Sequence, residues 1–169
     1  MSLQPNSDIE NPLVRFDHTE RRLYQESIAE KARLRNTLVV LPTALGKTVI
    51  TALVAAHFLY HHKQTRILMM APTRPLVLQH RESFLEILKI PGDEAITLTG
   101  KTPNTQREAI WRGKARLIFA TPQVVRNDLM LDHVDMKEFS LLFFDECHRA
   151  TKDYAYTYVA KRYMVRSPW

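Results

Sequence analysis

Cysteine is almost absent from this chain, since Cys147 is the only thiol among 169 residues. A single cysteine excludes an intrachain disulfide and a cysteine-rich zinc site, and it favours a cytosolic setting over a secreted one. No apolar run approaches the roughly 20 residues that a membrane-spanning helix requires, and no signal peptide is recognisable. We therefore expect a cytoplasmic protein, or a nuclear one in a eukaryote, with no membrane partner.

Several familiar site patterns are also missing. His57 and His61 are four residues apart, but no glutamate follows His57 as in the H-E-x-x-H motif, and no third metal ligand is apparent. No serine has the spacing of a nucleophile elbow, so a hydrolase triad is not indicated. Tyrosines that could stack on bases are interpreted instead as a packing face of a helix: Tyr154, Tyr156, Tyr158 and Tyr163.

The composition that is present fits one globular domain with a surplus of positive charge. An apolar content of 45% and a length of 169 residues allow a single domain with a real core. The formal net charge is +6 and the sequence pI is about 9.6. This surplus suits a polyanionic partner such as nucleic acid, although net charge also serves solubility.

Strand and helix patterns alternate along the chain. Residues 1–18 are interpreted as an N-terminal arm and residues 19–169 as one domain. Apolar, β-branched runs predict strands at residues 37–41, 66–71, 96–99, 115–120 and 139–144. Amphipathic patterns predict helices at residues 19–35, 47–62, 75–88, 103–111, from 122 onward, and 154–165. This order predicts an α/β fold of three layers, in which helices cover both faces of a mainly parallel central sheet.

The most informative stretch surrounds Lys47 and Thr48. An apolar run leads into a short loop, then Gly46-Lys47-Thr48, then a helical pattern, which is the context of a phosphate-binding loop. Backbone N–H groups at the helix start can hold phosphate oxygens, and the helix dipole favours an anion there. Lys47 would neutralise the β- and γ-phosphates of a nucleotide, and the Thr48 hydroxyl would hold Mg²⁺.

A second motif stands about a hundred residues downstream. The strand predicted at residues 139–144 ends in two adjacent carboxylates, Asp145 and Glu146. Asp145 can hold the Mg²⁺ shell, and Glu146 can orient and deprotonate an attacking water. Together the two motifs predict a nucleotide triphosphatase that uses ATP and Mg²⁺.

The predicted loops that carry polar residues all follow strands. They are residues 71–74, 99–100, 121–123 and 145–146, together with the phosphate-binding loop. Ligands of parallel α/β sheets bind at the carboxyl ends of the strands, so we expect these loops to share one rim.

These loops, in this order, resemble the first RecA-like domain of a superfamily 2 helicase, in particular the branch of the archaeal Hef helicase and the Fanconi anaemia M translocase. The resemblance covers the chain from about Thr19. It rests on five strings: Arg-Leu-Tyr-Gln at 22–25, Leu-Pro-Thr-Ala-Leu-Gly-Lys-Thr at 41–48, Ala-Pro-Thr-Arg-Pro-Leu at 71–76, Ala-Thr-Pro-Gln-Val at 120–124 and Asp-Glu-Cys-His-Arg-Ala at 145–150.

The resemblance implies a role for each matching residue. Arg22 and Gln25 would contact the adenine base, and His148 would act with the catalytic Lys47, Asp145 and Glu146 by coupling the nucleotide site to the nucleic-acid site. The phosphate-binding loop would comprise Thr43, Ala44, Leu45, Gly46, Lys47 and Thr48, with Thr48 and Asp145 at the metal. Nucleic-acid phosphates would contact Thr73, Arg74, Gly100, Thr121 and Gln123.

Two features depart from that family. Ala44 stands where the superfamily usually has glycine, and a β-carbon there costs of order 1 kcal/mol if the position needs a positive φ. The chain also stops before the family's Ser-Ala-Thr motif and lacks the second RecA-like domain with its arginine fingers. The Ser-Ala-Thr strand normally lies between the phosphate-loop strand and the Asp-Glu strand, so we expect a gap in the sheet.

We expect the ATP-binding motor domain of an ATP-dependent DNA helicase or translocase that acts on branched or forked DNA in repair. Alone, it should bind nucleotide weakly and hydrolyse little. An RNA helicase or RNA-sensing ATPase of superfamily 2 is an alternative, because RIG-I-like RNA sensors share the Asp-Glu-Cys-His box. A catalytically idle nucleic-acid-binding module is a third interpretation. Ala44 and the missing second RecA-like domain favour this interpretation, and the intact Lys47, Asp145 and Glu146 argue against it.

Overall fold

A parallel four-stranded sheet forms the centre of the protein, with helices on both of its faces. The computed structural model describes residues 11–15, 22–42, 45–152 and 154–168. The strands are β1 (Arg66–Met70), β2 (Ala95–Leu98), β3 (Leu117–Ala120) and β4 (Phe139–Phe144). The helices are α1 (Leu23–Ala32), α2 (Lys47–His61), α3 (Arg74–Ile87), α4 (Asn104–Trp111), α5 (Pro122–Met130) and α6 (Ala155–Arg166).

The strands lie in the order β2-β3-β1-β4, and every pair is parallel. Successive residues of β1 point to opposite faces of the sheet, as a strand requires. Ile67 and Met69 pack in one core with α2 and α3, while Leu68 and Met70 pack in a second core with α5 and α6. The predicted α/β architecture with a covered parallel sheet is therefore confirmed.

Most predicted elements are present with ends shifted by a few residues. Proline lies in the first turn of α3 and of α5. Proline has no backbone N–H, and this costs no hydrogen bond in the first turn, because an N–H there has no intrahelical acceptor. Helix α1 is shorter than predicted and ends at Ala32. Among the described residues, we find no helix with the length and apolar character needed to cross a membrane.

One predicted strand is wrong. Residues 37–41 have the alternating exposure of a strand, with Leu38 71% and Val40 81% exposed while Val39 and Leu41 pack against α1 and α2. The segment nevertheless forms no strand, because it has no neighbour to pair with. Strand β4 is the edge strand on this side, and within the described ranges nothing pairs with its outer edge. The gap expected between the phosphate-loop segment and β4 stays a prediction, since Val39 and Leu41 share a core cluster with Leu141 and Phe143 of β4.

Part of the predicted N-terminal arm packs on the domain. Val14 forms an isolated antiparallel bridge with Leu88 just after α3, and its side chain is only 1% exposed. The Arg15 N–H donates to the Ile87 carbonyl at 2.7 Å. Residues 11–15 thus extend the core instead of standing away from it.

Candidate nucleotide and nucleic-acid sites

The start of α2 is built to receive an anion. Gly46 precedes the helix in a left-handed conformation with φ +71°, and Lys47 is the first helical residue. Within the described ranges, the first turn contains no acidic side chain and no side chain caps the helix. The Val49 and Ile50 N–H groups bond to the Gly46 carbonyl. The N–H groups of Lys47 and Thr48 are therefore the ones that could bind an anion, which the helix dipole favours.

Leu45 and Gly46 precede α2, and Lys47 and Thr48 lie in its first turn. Thr43 and Ala44 lie outside the described residues, and phosphate binding by this segment stays a prediction.

Glycine is required at position 46 for two reasons. The positive φ penalises any residue with a β-carbon, and a β-carbon there would overlap the side-chain nitrogen of Gln25. We expect Gly46→Ala to lower the free energy of unfolding by about 1–2 kcal/mol and to displace the Gln25 amide. Thermal unfolding measures the loss. Gly100→Ala is the matched control, because open space surrounds Gly100; an equal loss in both variants would contradict this account.

Helix α1 is tied to the phosphate loop through one carbonyl. The Tyr24 hydroxyl donates to the Leu45 carbonyl at 2.8 Å, and the Gln25 side-chain N–H donates to the same oxygen at 3.4 Å. The Gln25 side-chain oxygen accepts the Arg22 backbone N–H at 3.0 Å. Gln25 is only 3% exposed. The structure thus places Gln25 beside the loop, with the Arg22 backbone bonded to Gln25 and, among the described residues, not to the loop, and adenine contact stays a prediction. The contact of Tyr24 with the loop was not predicted from the sequence.

Asp145 emerges from the end of β4, where its backbone N–H donates to the Met70 carbonyl at 2.9 Å. Its carboxylate lies 2.9 Å from Nε2 of His80 on α3. Burial acts to raise the pKa of Asp145, but the hydrogen bond and attraction of His80, the Glu146 N–H and the charge of Lys47 outweigh it and lower the pKa. The carboxylate is therefore ionised at neutral pH and lies within the field of Lys47. An ionised carboxylate of this kind is among the oxygen donors that Mg²⁺ prefers.

Glu146 follows in a strained backbone conformation. Its φ of +52° is left-handed, which is uncommon for a residue with a side chain and is typical of functional sites. The carboxylate is 42% exposed and lies 3.4 Å from Nε2 of His148, whose side chain is 71% exposed. Both side chains are thus open to solvent and to a ligand.

Tyr156 holds this turn from α6. Its hydroxyl lies 2.7 Å from the Asp145 carbonyl and 3.1 Å from the Met70 carbonyl. Burial raises the pKa of Tyr156 above its usual value, so the hydroxyl keeps its proton and donates. The sequence predicted only a packing role for this tyrosine, and α6 does pack through it. The hydrogen bonds to the turn were missed.

Three of the five predicted nucleic-acid residues line one groove. Gly100 follows β2, Thr121 precedes α5, and Gln123 lies in its first turn. They border an open groove of about 700 Å³ whose other lining residues are Asn104, Arg107, Val124, Asn127, Met130 and Leu131. Thr73 and Arg74 are exposed at the start of α3 but are not part of that lining.

A buried ion pair fixes the two helices that form this groove. Asp128 of α5 is fully buried and accepts hydrogen bonds from Arg107 at 3.0–3.1 Å and from the Trp111 indole at 2.7 Å. Arg107 and Trp111 both belong to α4. The pair therefore locks α4 to α5 and sets the shape of the groove.

Comparison with known proteins agrees with this geometry. The Pyrococcus furiosus Hef helicase domain superposes with a TM-score of 0.87 at 40% identity, covering 92% of this chain and 32% of that chain. The Drosophila melanogaster DEAD-box ATP-dependent DNA helicase Fancm is 42% identical over 150 residues, 86% of this chain and 10% of the relative. A Methanocaldococcus jannaschii protein, provisionally named an ATP-dependent RNA helicase, is 43% identical over 155 residues, 92% of this chain and 20% of the relative.

The chain thus spans a tenth to a fifth of these two relatives' lengths. The profile of the DEAD/DEAH box helicase family matches residues 22–166. That match includes the phosphate-binding loop, the loops at residues 71–74, 99–100 and 121–123, and the turn that carries Asp145. The chain belongs to the DEAD/DEAH box helicase family.

Proposed function

We propose that this chain is the ATP-binding motor domain of an ATP-dependent DNA helicase or translocase that acts on branched or forked DNA in repair. One observation carries the proposal. Both motifs lie within the residues that match the DEAD/DEAH box helicase family, with Lys47 at the start of α2 and Asp145 at the end of β4. The charge of Lys47 also contributes to lowering the pKa of Asp145, which supports one shared site, as a nucleotide triphosphatase requires.

The residues of the site would divide the work. The Lys47 ammonium and the N–H groups of α2 would bind the β- and γ-phosphates, while Gln25 and Arg22 would contact the adenine. Thr48 and Asp145 would hold Mg²⁺, which supplies neutralising charge on the phosphates when it is bound with the nucleotide. Glu146 would take a proton from the attacking water, because its carboxylate is exposed at the same turn.

The groove beside Gly100, Thr121 and Gln123 would hold a nucleic-acid strand by its backbone. A motor must move through any sequence, so contacts to phosphate suit it better than contacts to base edges. The net charge of +6 supports binding to a polyanion. Thr73 and Arg74 would extend this contact along the rim.

DNA is favoured over RNA as the substrate because the Drosophila melanogaster relative is named an ATP-dependent DNA helicase. The name of the Methanocaldococcus jannaschii relative favours RNA, so an RNA helicase is the second candidate. Branched DNA as the preferred substrate rests on the likeness to the Hef and Fanconi anaemia M branch.

Hydrolysis by this chain alone is expected to be weak. In the helicase family that this chain resembles, a second RecA-like domain supplies arginine side chains to the γ-phosphate. Closure of that domain on this one would convert ATP hydrolysis into movement along the nucleic acid. Robust DNA-stimulated turnover by the 169-residue chain itself would contradict this part of the proposal.

ATP turnover by the full-length protein that carries this chain tests the function. It should be measured without nucleic acid and with forked DNA, single-stranded DNA and duplex RNA. We expect the strongest stimulation by forked DNA, and none in a Lys47→Ala variant. Stimulation of ATP turnover by duplex RNA, and by none of the DNA substrates, would indicate that the protein is an RNA helicase. No turnover with any of them would favour the idle binding module.

A further inference from the structure

His80 has no role in the motifs described above, yet it makes the closest side-chain contact to Asp145. Its Nε2 atom lies 2.9 Å from Oδ2 of Asp145, across a sequence separation of 65 residues. The His80 side chain is 12% exposed and the Asp145 side chain is 21% exposed. A hydrogen bond so shielded from water is stronger than one at the surface.

The other ring nitrogen of His80 shows that packing alone does not explain this residue. Nδ1 is buried and has no hydrogen-bond partner in the part of the chain that the structure describes. A buried polar atom without a partner costs free energy, and an apolar side chain would avoid that cost. Other inward residues of α3 are apolar, namely Val77, Phe84 and Ile87. The contact with Asp145 is therefore what the imidazole contributes here.

The backbone of Asp145 is already held from two sides. Its N–H donates to the Met70 carbonyl at 2.9 Å, and its own carbonyl accepts from the Tyr156 hydroxyl at 2.7 Å. With the backbone fixed, only the side-chain torsions of Asp145 stay free. The hydrogen bond from His80 to Oδ2, together with the backbone N–H of Glu146, restricts these torsions and so fixes the orientation of the carboxylate.

We propose that His80 is a positioning residue, whose Nε2–H holds Oδ2 of Asp145 and so keeps the carboxylate in the orientation in which it would bind a Mg²⁺ ion together with the nucleotide. This inference rests on the proposed nucleotide site. The partners that orient a metal ligand commonly change metal affinity by 10- to 100-fold when they are removed. His80 would act in that way, although it would touch neither the metal nor the nucleotide.

The test measures binding of a fluorescent, non-hydrolysable ATP analogue to the 169-residue chain, in EDTA and across a Mg²⁺ titration. In His80→Leu we expect an apparent Mg²⁺ affinity about tenfold weaker, with the affinity in EDTA unchanged. His80→Gln should restore the wild-type Mg²⁺ response, because its side-chain amide can donate to the same oxygen. His80→Met fills the space with a flexible apolar chain and carries the same expectation as His80→Leu.

His133→Leu is the matched control. His133 is also a partly buried histidine near a carboxylate, since its Nδ1 lies 3.9 Å from Oδ1 of Asp128, but that carboxylate belongs to the α4–α5 pair. We expect His133→Leu to leave binding unchanged both in EDTA and in Mg²⁺.

Two outcomes would overturn the inference while leaving the nucleotide site intact. One is an unchanged Mg²⁺ response in both apolar variants. The other is a loss in the apolar variants that His80→Gln does not restore, since that result indicates packing instead of a hydrogen bond. If the wild-type chain binds no analogue in either buffer, the proposed function itself is wrong and the role of His80 is wrong with it.

Discussion

Asp128→Ala is expected to lower the free energy of unfolding by about 3–5 kcal/mol, which is the usual cost of removing one partner of a buried ion pair. Asp128 is fully buried and accepts three hydrogen bonds from Arg107 and one from Trp111. Without the carboxylate, the hydrogen bond that the Arg107 guanidinium keeps within the described residues is the one to the Thr102 carbonyl, at 3.0 Å. A buried cation and a buried indole N–H would then lack their partner. Denaturant titration measures the loss.

Two further variants make this prediction specific. Asp128→Asn keeps one acceptor oxygen, so its loss should be smaller. Asp135→Ala removes an aspartate at the surface that pairs with Lys137 and Arg166, and we expect a cost of about 1 kcal/mol or less. If Asp128→Ala costs no more than Asp135→Ala, the Asp128 pair does not hold α4 and α5 together.

Glu146→Gln is expected to slow ATP hydrolysis by the full-length protein by about 10²- to 10⁴-fold, the range that a general base contributes. The amide has nearly the same shape as the carboxylate but cannot accept the proton of the attacking water. Nucleotide affinity should stay close to that of the wild type, because Lys47, Thr48 and Asp145 are unchanged. Single-turnover hydrolysis and equilibrium binding separate the two effects.

The neighbouring residue supplies the control for Glu146. Cys147→Ala alters the same short helical turn without removing a carboxylate, and we expect turnover close to wild type. A comparable fall in both variants would show that the turn tolerates no change. Hydrolysis retained in Glu146→Gln would show that another group takes the proton.

The sequence was sufficient for most of the fold because its signals are local. Five buried residues in a row at β1 and the proline at the start of α3 can be read from neighbouring positions. The segment at residues 37–41 also has the local pattern of a strand. It lacks one because a strand needs a hydrogen-bonding neighbour, and no local pattern reveals whether that neighbour exists.

The contacts that organise the site could not be predicted in the same way. The Asp145 carboxylate was identified from its motif, but His80 reaches it from a helix 65 residues away. The link from Tyr24 to the phosphate loop and the pairing of Arg107 with Asp128 are likewise set by how the helices pack. The sequence motifs therefore identify the residues expected to react with or bind the nucleotide, while the fold determines which other side chains hold those residues in place.

The central claim is that the start of α2 and the end of β4 form one nucleotide site. Isothermal titration of the 169-residue chain with ATP and Mg²⁺, beside the Lys47→Ala variant, tests it most directly. We expect weak one-site binding, and a loss of roughly 10- to 100-fold in the variant, because a hydrogen bond to a charged group contributes about 1.5–3 kcal/mol. No saturable binding by the wild type, or equal affinity in both chains, would contradict the claim.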